Sequence, residues 1–215
     1  MNNGRVGARA AAVVILLTAT AGVAAGFGIH RLTAADSAGS NDIPPGFHGQ
    51  ATWPSGARPA PDFALTDQDG RTTSLASLRG RTVMLAFLSS RCAGACAREA
   101  RSLGTALRLL PQAAKPALVV VSVDPRRDGP GSVRAAARRW GFEGAAEWHW
   151  LVGTRSELAP VWRSYRIAVR GAGGRVVSSP AVYLIDRSGF ERAGLLYPFP
   201  PTWPAGDLRI LAREG

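Results

Sequence analysis

The residues best suited to chemistry in this chain are Cys92 and Cys96, its only two cysteines, held in Ser89-Ser90-Arg91-Cys92-Ala93-Gly94-Ala95-Cys96. An apolar run, Thr82 to Leu88, precedes them and reads as a buried strand. After them Ala100, Leu103, Ala106, Leu107 and Leu110 recur at helical spacing, which predicts a helix over 97–110. The pair is thus expected where a strand ends and a helix begins, with Ser89 or Ser90 able to cap that helix. Unpaired N–H groups and the positive end of the helix dipole would lie near the Cys92 sulfur, with Arg91 adjacent. Both effects favour thiolate over thiol and predict a Cys92 pKa below that of a free cysteine. Cys96, one turn on, would share its face. Two sulfurs so placed can close a disulfide or grip one soft metal ion. The plainer alternative is a pair of buried structural thiols.

The remaining elements alternate. Pro61 to Leu65 and Thr72 to Ser74 read as short strands joined at Asp69-Gly70. Ala117 to Val123 is apolar without alternation, as in a parallel strand covered on both faces, and ends in Asp124-Pro125. Ser132 is the expected N-cap of a helix that runs to Trp140 and stops at Gly141. Trp148 to Val152 suits a strand, 156–165 a short helix weakened by Pro160, and Gly171 to Gly174 a turn. Val182 to Ile185, a hairpin arm at Arg192 to Leu196, and a closing helix over 205–213 complete the order. This pattern predicts an α/β fold in which the first two main strands run parallel through a right-handed crossover. The cysteines and Asp124 then share the edge formed by the strand C-termini, where open α/β sheets carry their sites. Asp124 there could orient a partner or cap its own turn.

Composition narrows the setting. The formal charge is +11, but the basic residues are almost all arginine, with Lys115 the sole lysine, and they are scattered. That pattern suits a soluble surface of one dominant sign better than a nucleic-acid stripe, so no nucleic-acid partner is expected. Arg5 and Arg9 precede an uncharged run over 10–29, long enough to cross a bilayer. The expected organisation is a cytoplasmic N-terminus (1–9), a transmembrane signal-anchor (10–29), a flexible linker (30–57) and one domain (58–215). A cleaved signal peptide with small residues at Val23-Ala24-Ala25 is the competing reading. With the anchor kept, the domain is expected at the cell membrane, single-pass; either way it is expected to face outside the cytoplasm, where a Cys pair can be oxidised or metal-loaded. His48 and Trp53, inside the linker, are expected to be incidental.

Several motifs together resemble a known family: Pro61-Asp62-Phe63 with the following Asp-x-x-Gly, the Cys pair after a strand, Ser122-Val123-Asp124-Pro125, Trp148-His149-Trp150-Leu151, and Tyr183-Leu184-Ile185-Asp186. They are similar to the thioredoxin-fold redoxins. The three-residue spacer of Cys92-x-x-x-Cys96 and the Ser-Val-Asp-Pro strand end resemble, more narrowly, the Sco/SenC family. Those are membrane-anchored proteins that help load copper into cytochrome c oxidase. The resemblance covers roughly 59–210. It implies a thioredoxin-like fold, a central mixed sheet flanked by helices behind the N-terminal transmembrane helix. It also implies copper(I) as cargo, Cys92 and Cys96 as its ligands, and a protein partner with a Cys or copper site, such as a cytochrome oxidase subunit.

The departures carry chemistry too. The family's copper-ligand histidine falls here at Ser178, and none of His30, His48 and His149 aligns with it. His149 is expected to be structural. Pro180 stands where thioredoxin- and TlpA-type oxidoreductases keep a cis-proline beside the disulfide, and so joins Cys92 and Cys96 as a candidate catalytic residue. Two thiolates can hold copper(I) nearly linearly, while copper(II) would want the missing imidazole. Dithiol–disulfide exchange needs only the pair, Cys92 attacking and Cys96 resolving. Two readings therefore stand: a copper(I) metallochaperone, and a thiol-disulfide oxidoreductase of TlpA type without metal. A peroxiredoxin-type peroxidase is the lesser alternative, because Leu85 occupies the place of that family's proline.

Overall fold

A computed structural model describes residues 46–144, 146–172 and 175–214. The expected anchor at 10–29 and the first part of the linker lie outside the described residues. No helix among the described residues is long and apolar enough to cross a membrane.

The frame is a six-stranded sheet. Its strands are β1 (Ala51–Thr52), β4 (Val83–Leu88), β5 (Ala117–Ser122), β6 (Glu147–Leu151), β9 (Ala181–Ile185) and β10 (Glu191–Leu196), in the order β1-β10-β9-β4-β5-β6. Two hairpins stand apart from it, β2 (Ala64–Thr66) with β3 (Thr72–Ser74), and β7 (Val169–Ala172) with β8 (Arg175–Ser178). β4, β5 and β6 are parallel, while β9 is antiparallel to β4 and β10 to β9. The sheet is therefore mixed, as in the thioredoxin-like folds. β4 and β5 are buried along their whole length, the reason their sequences show no polar alternation.

Helices cover both faces. α1 (Gly94–Arg108), α2 (Pro130–Trp140) and α4 (Thr202–Arg213) contribute Leu103, Leu107, Ala137, Trp140 and Leu208 to one core layer, against Met84, Ala86, Leu118, Val120 and Trp150. α3 (Arg155–Ser164) packs Leu158, Val161 and Trp162 against Leu85, Phe87, Val119 and Val121 on the other face. Consecutive residues of one strand feed opposite layers, which is the period-two geometry of a strand. At Gly104 a Cβ would collide with the Trp140 carbonyl, so α1 and α2 touch where only glycine fits.

Several expectations shift. α2 begins three residues early: Gly129 is its N-cap, and Ser132 sits inside the first turn, its hydroxyl accepting the Gly129 N–H at 3.0 Å. Gly141 ends that helix at φ 75°, as expected. Of the turn expected at 171–174, residues 173 and 174 lie outside the described residues; Gly171 is part of β7, which pairs with β8, both too short and too polar to show in the sequence.

The linker is docked from its second half onward. Phe47 is buried in the first core layer, and β1 adds to the edge of β10. His48 stacks on Trp203 and bonds the buried Asp207 at 2.8 Å through Nδ1. The Trp53 N–H donates to the Arg192 carbonyl, and its ring lies under the Arg58 guanidinium. The expectation that His48 and Trp53 are incidental is thus corrected: composition alone hides long-range pairing.

Candidate redox and metal site

β4 ends at Leu88, and the chain turns at once, the Cys92 N–H donating to the Ser89 carbonyl at 3.0 Å. The Ser89 N–H in turn donates to the Cys92 sulfur at 3.3 Å. Neither Ser89 nor Ser90 caps α1. The N-cap is Ala93, with no side-chain acceptor, and the first turn holds no acidic residue. Cys92 therefore lies just before the helix, and Cys96 is its third residue. The first N–H groups of α1 are left without a capping side chain. They and the positive helix end remain available to a thiolate.

The two sulfurs are joined as a disulfide, with Cα atoms 5.3 Å apart. Both cysteines are half-buried, packed on the first core layer yet reachable from solvent. Buried inert thiols are excluded for this pair.

A residue absent from the sequence reading organises the loop. Asp128 is buried, and its Oδ1 accepts the Ser90 N–H at 2.8 Å and the Ser89 hydroxyl at 3.4 Å. Its Oδ2 accepts the Ser122 hydroxyl at 2.5 Å. Burial pushes its carboxyl above the usual range, against the lowering effect of these bonds. Arg139, from α2, donates to the Ser90 carbonyl at 3.1 Å. The loop before Cys92 is thus clamped from β5, α2 and the turn between them. Asp124 serves that turn instead: its carbonyl accepts the N–H groups of Arg127 and Asp128, and its carboxylate faces Arg127 at 3.6 Å.

Glu99 is the second unforeseen group. It is fully buried on α1, three residues after Cys96, and neither carboxyl oxygen has a hydrogen-bond partner. Burial pushes its pKa up to about 8. The sequence signal was its place on the apolar face between Cys96 and Leu103, where a charge is out of pattern.

The other candidates come from other elements. Ser178 ends β8, paired with Val169. Pro180 directly precedes β9, and its carbonyl accepts the Tyr197 N–H at 2.9 Å. Among the described residues the cis peptide bond is Tyr197–Pro198, so Ser179–Pro180 is trans. The cis geometry of the thioredoxin-type proline is not reproduced there. His149 bonds Asp67 at 3.2 Å and Glu147 at 3.0 Å, tying the β2–β3 hairpin to β6, a structural role as expected. Among the described residues no three His, Cys, Asp or Glu side chains converge as a metal site.

A strand-to-helix Cys pair at the C-terminal edge of a mixed sheet is the frame on which the comparisons bear. The SCO1/SenC family model matches residues 53–198. The chain belongs to the SCO1/SenC family. Solved Sco structures superpose on it along nearly their whole length. ScoI of Bradyrhizobium japonicum, with copper bound, is 26% identical, with a TM-score of 0.57 over 71% of this chain and 98% of that one. ScoI of Arabidopsis thaliana, also with copper bound, is 21% identical, with a TM-score of 0.62 over 73% and 99%. BsSco, described as a Sco-family cytochrome c oxidase assembly protein with a disulfide switch, is 21% identical, with a TM-score of 0.60 over 72% and 94%. No curated protein sequence matches the chain.

Proposed function

We propose that this SCO1/SenC protein is membrane-anchored, faces outside the cytoplasm, and cycles its Cys92–Cys96 pair in the assembly of a copper enzyme such as cytochrome c oxidase. The observation that carries this reading is the accessible Cys92–Cys96 disulfide set against the uncapped start of α1. In the reducing direction, the Cys92 thiolate attacks one sulfur of a partner disulfide, and the other partner sulfur leaves as thiolate. The Cys96 thiolate then attacks Cys92, the partner departs as a dithiol, and the internal disulfide closes. An external dithiol restores the pair. Reduced, the same sulfurs take copper(I) as cargo, for which soft thiolates are the preferred donors. The copper-bound relatives support that cargo, and BsSco supports both the oxidase partner and a redox role.

A metal-free oxidoreductase is the second reading, favoured by serine at 178 and by the lack of a third converging ligand among the described residues. One experiment separates them. Reduced full-length protein is titrated with copper(I) against a chelator of moderate affinity, while Cys96→Ser is used to trap partners as mixed disulfides. Uptake near one equivalent supports delivery. No uptake, with a trapped partner, leaves exchange alone. Neither uptake nor trapping removes both readings.

A further inference from the structure

On the face of the sheet that carries α3, Tyr183 of β9, Gly194 and Leu196 of β10 and Ala51 of β1 line a groove of about 280 Å³. Its walls are Trp53 and Tyr183, its floor is the bare backbone of Gly194, and Leu196, 55% exposed, closes one end. Two guanidiniums line it. Arg58 is held rigidly, its Nε donating to Glu191 at 2.5 Å and its plane lying 4.5 Å from the Trp53 ring. Glu191 is only 1% exposed, so this is a built contact and not a surface pairing. It occupies the Nε of Arg58; no bond from the Nη atoms is found among the described residues.

Arg166 is the more telling residue. It follows α3 with φ 56°, where the Ile167 N–H reaches back to the Trp162 carbonyl at 2.7 Å. That is a helix-ending turn that favours glycine, and the same chain uses Gly141 to end α2. An arginine at such a position costs stability, and its guanidinium has no hydrogen bond or ion pair among the described residues. The groove therefore presents an apolar floor with a net positive charge, two arginines above one buried carboxylate.

Its place in the sheet matters. Leu196 pairs with Ala181, and Val182 with Ala86, so the groove lies level with the end of β4 that runs into the cysteine loop. We propose that this groove docks a short acidic, apolar peptide segment of the protein partner that meets Cys92, its carboxylate on Arg166 and Arg58 and its apolar side chain on Gly194 and Leu196. The proposal rests on the function proposed above. Charge complementarity argues for this occupant, and Glu191 beneath the groove disfavours a doubly charged phosphate.

The test uses the purified full-length chain and an N-acetylated Glu-Leu-Leu-Asp amide, followed by calorimetric titration. The peptide holds no sulfur and no metal, so it reports on the groove independently of the cysteines. Saturable binding is expected, weakened about tenfold by Arg166→Gly and by Leu196→Asp, the scale of one lost charge-assisted contact. Arg166→Gly suits the turn better than arginine, so its loss of binding is not unfolding. Lys115→Ala, remote from the groove, should leave binding unchanged. No saturable binding, equal binding by Arg166→Gly, equal competition by acetate alone, or an Arg166-dependent preference for phosphatidylglycerol vesicles over the peptide would each overturn the proposal. Peptide binding by a chain that neither exchanges disulfides nor takes copper would support the groove and remove the proposed function instead.

Discussion

The Oδ1 atom of Asp128 accepts the main-chain N–H of Ser90 at 2.8 Å, across a separation of 38 residues. This bond joins the turn after β5 to the turn after β4, and so fixes the loop that delivers Cys92. A buried carboxylate is suited to the task because it can accept from several donors at once, here the Ser90 N–H and the hydroxyls of Ser89 and Ser122.

Asp128→Ala removes that acceptor and leaves buried donors unpaired, at a cost of about 1–3 kcal/mol. The expected outcome is a lower unfolding midpoint together with slower attack by reduced Cys92 on a small disulfide. Asp128→Asn, which can still accept at Oδ1, should recover part of both. Stopped-flow exchange on the three proteins decides it: an unchanged rate in Asp128→Ala would show that the loop holds its shape without the clamp.

Glu99 sets a pH dependence of stability. Its carboxyl is raised from 4.5 to about 8 by burial, so between those values the folded chain keeps a proton that the unfolded chain has released. The native state then binds more protons, and stability falls as pH rises through that window. The protonated form is the one the fold tolerates, and its contribution is fully present below pH 4.5. Glu99→Gln, neutral throughout, should flatten this decline and leave the variant more stable than the wild type near pH 8. Urea unfolding of the oxidised proteins at pH 5 and pH 8 measures it; parallel losses in both proteins would refute the assignment.

Gly104 faces the Trp140 carbonyl so closely that a methyl group has no room. The obstacle is backbone and cannot rotate away. Gly104→Ala should therefore destabilise the protein by about 1–3 kcal/mol despite alanine's better helix propensity. A thermal midpoint equal to or above that of the wild type would show that α1 and α2 can separate freely.

Ser178→His tests the copper cargo. Two thiolates suffice for copper(I), but an added imidazole favours a three-coordinate site and copper(II). If the β8 end reaches the cysteine mouth, the variant should bind copper(I) more tightly and acquire a thiolate-to-copper(II) absorption band. Cys96→Ser in the same background should abolish both. No gain in either measurement would separate Ser178 from the metal path.

The chain of residues by itself determined the order of the main strands and helices, the parallel pairing of β4 with β5, and the cysteines' place between a strand and a helix. Those features are carried by local patterns. Met84 to Leu88 and Leu118 to Val121 are apolar without a break, Gly141 stops a helix, and Leu103 and Leu107 mark one helical face. What needed the tertiary structure were contacts between residues far apart in sequence. Ser90 meets Asp128, His48 meets Asp207, and Arg58 meets Glu191. A buried polar group gains its partner only when separate segments fold together, and no local spacing records which donor will reach which acceptor. The helix cap was missed for the same reason: Ser89 and Ser90 have the right side chains for the role, but Asp128 draws their loop to other bonds.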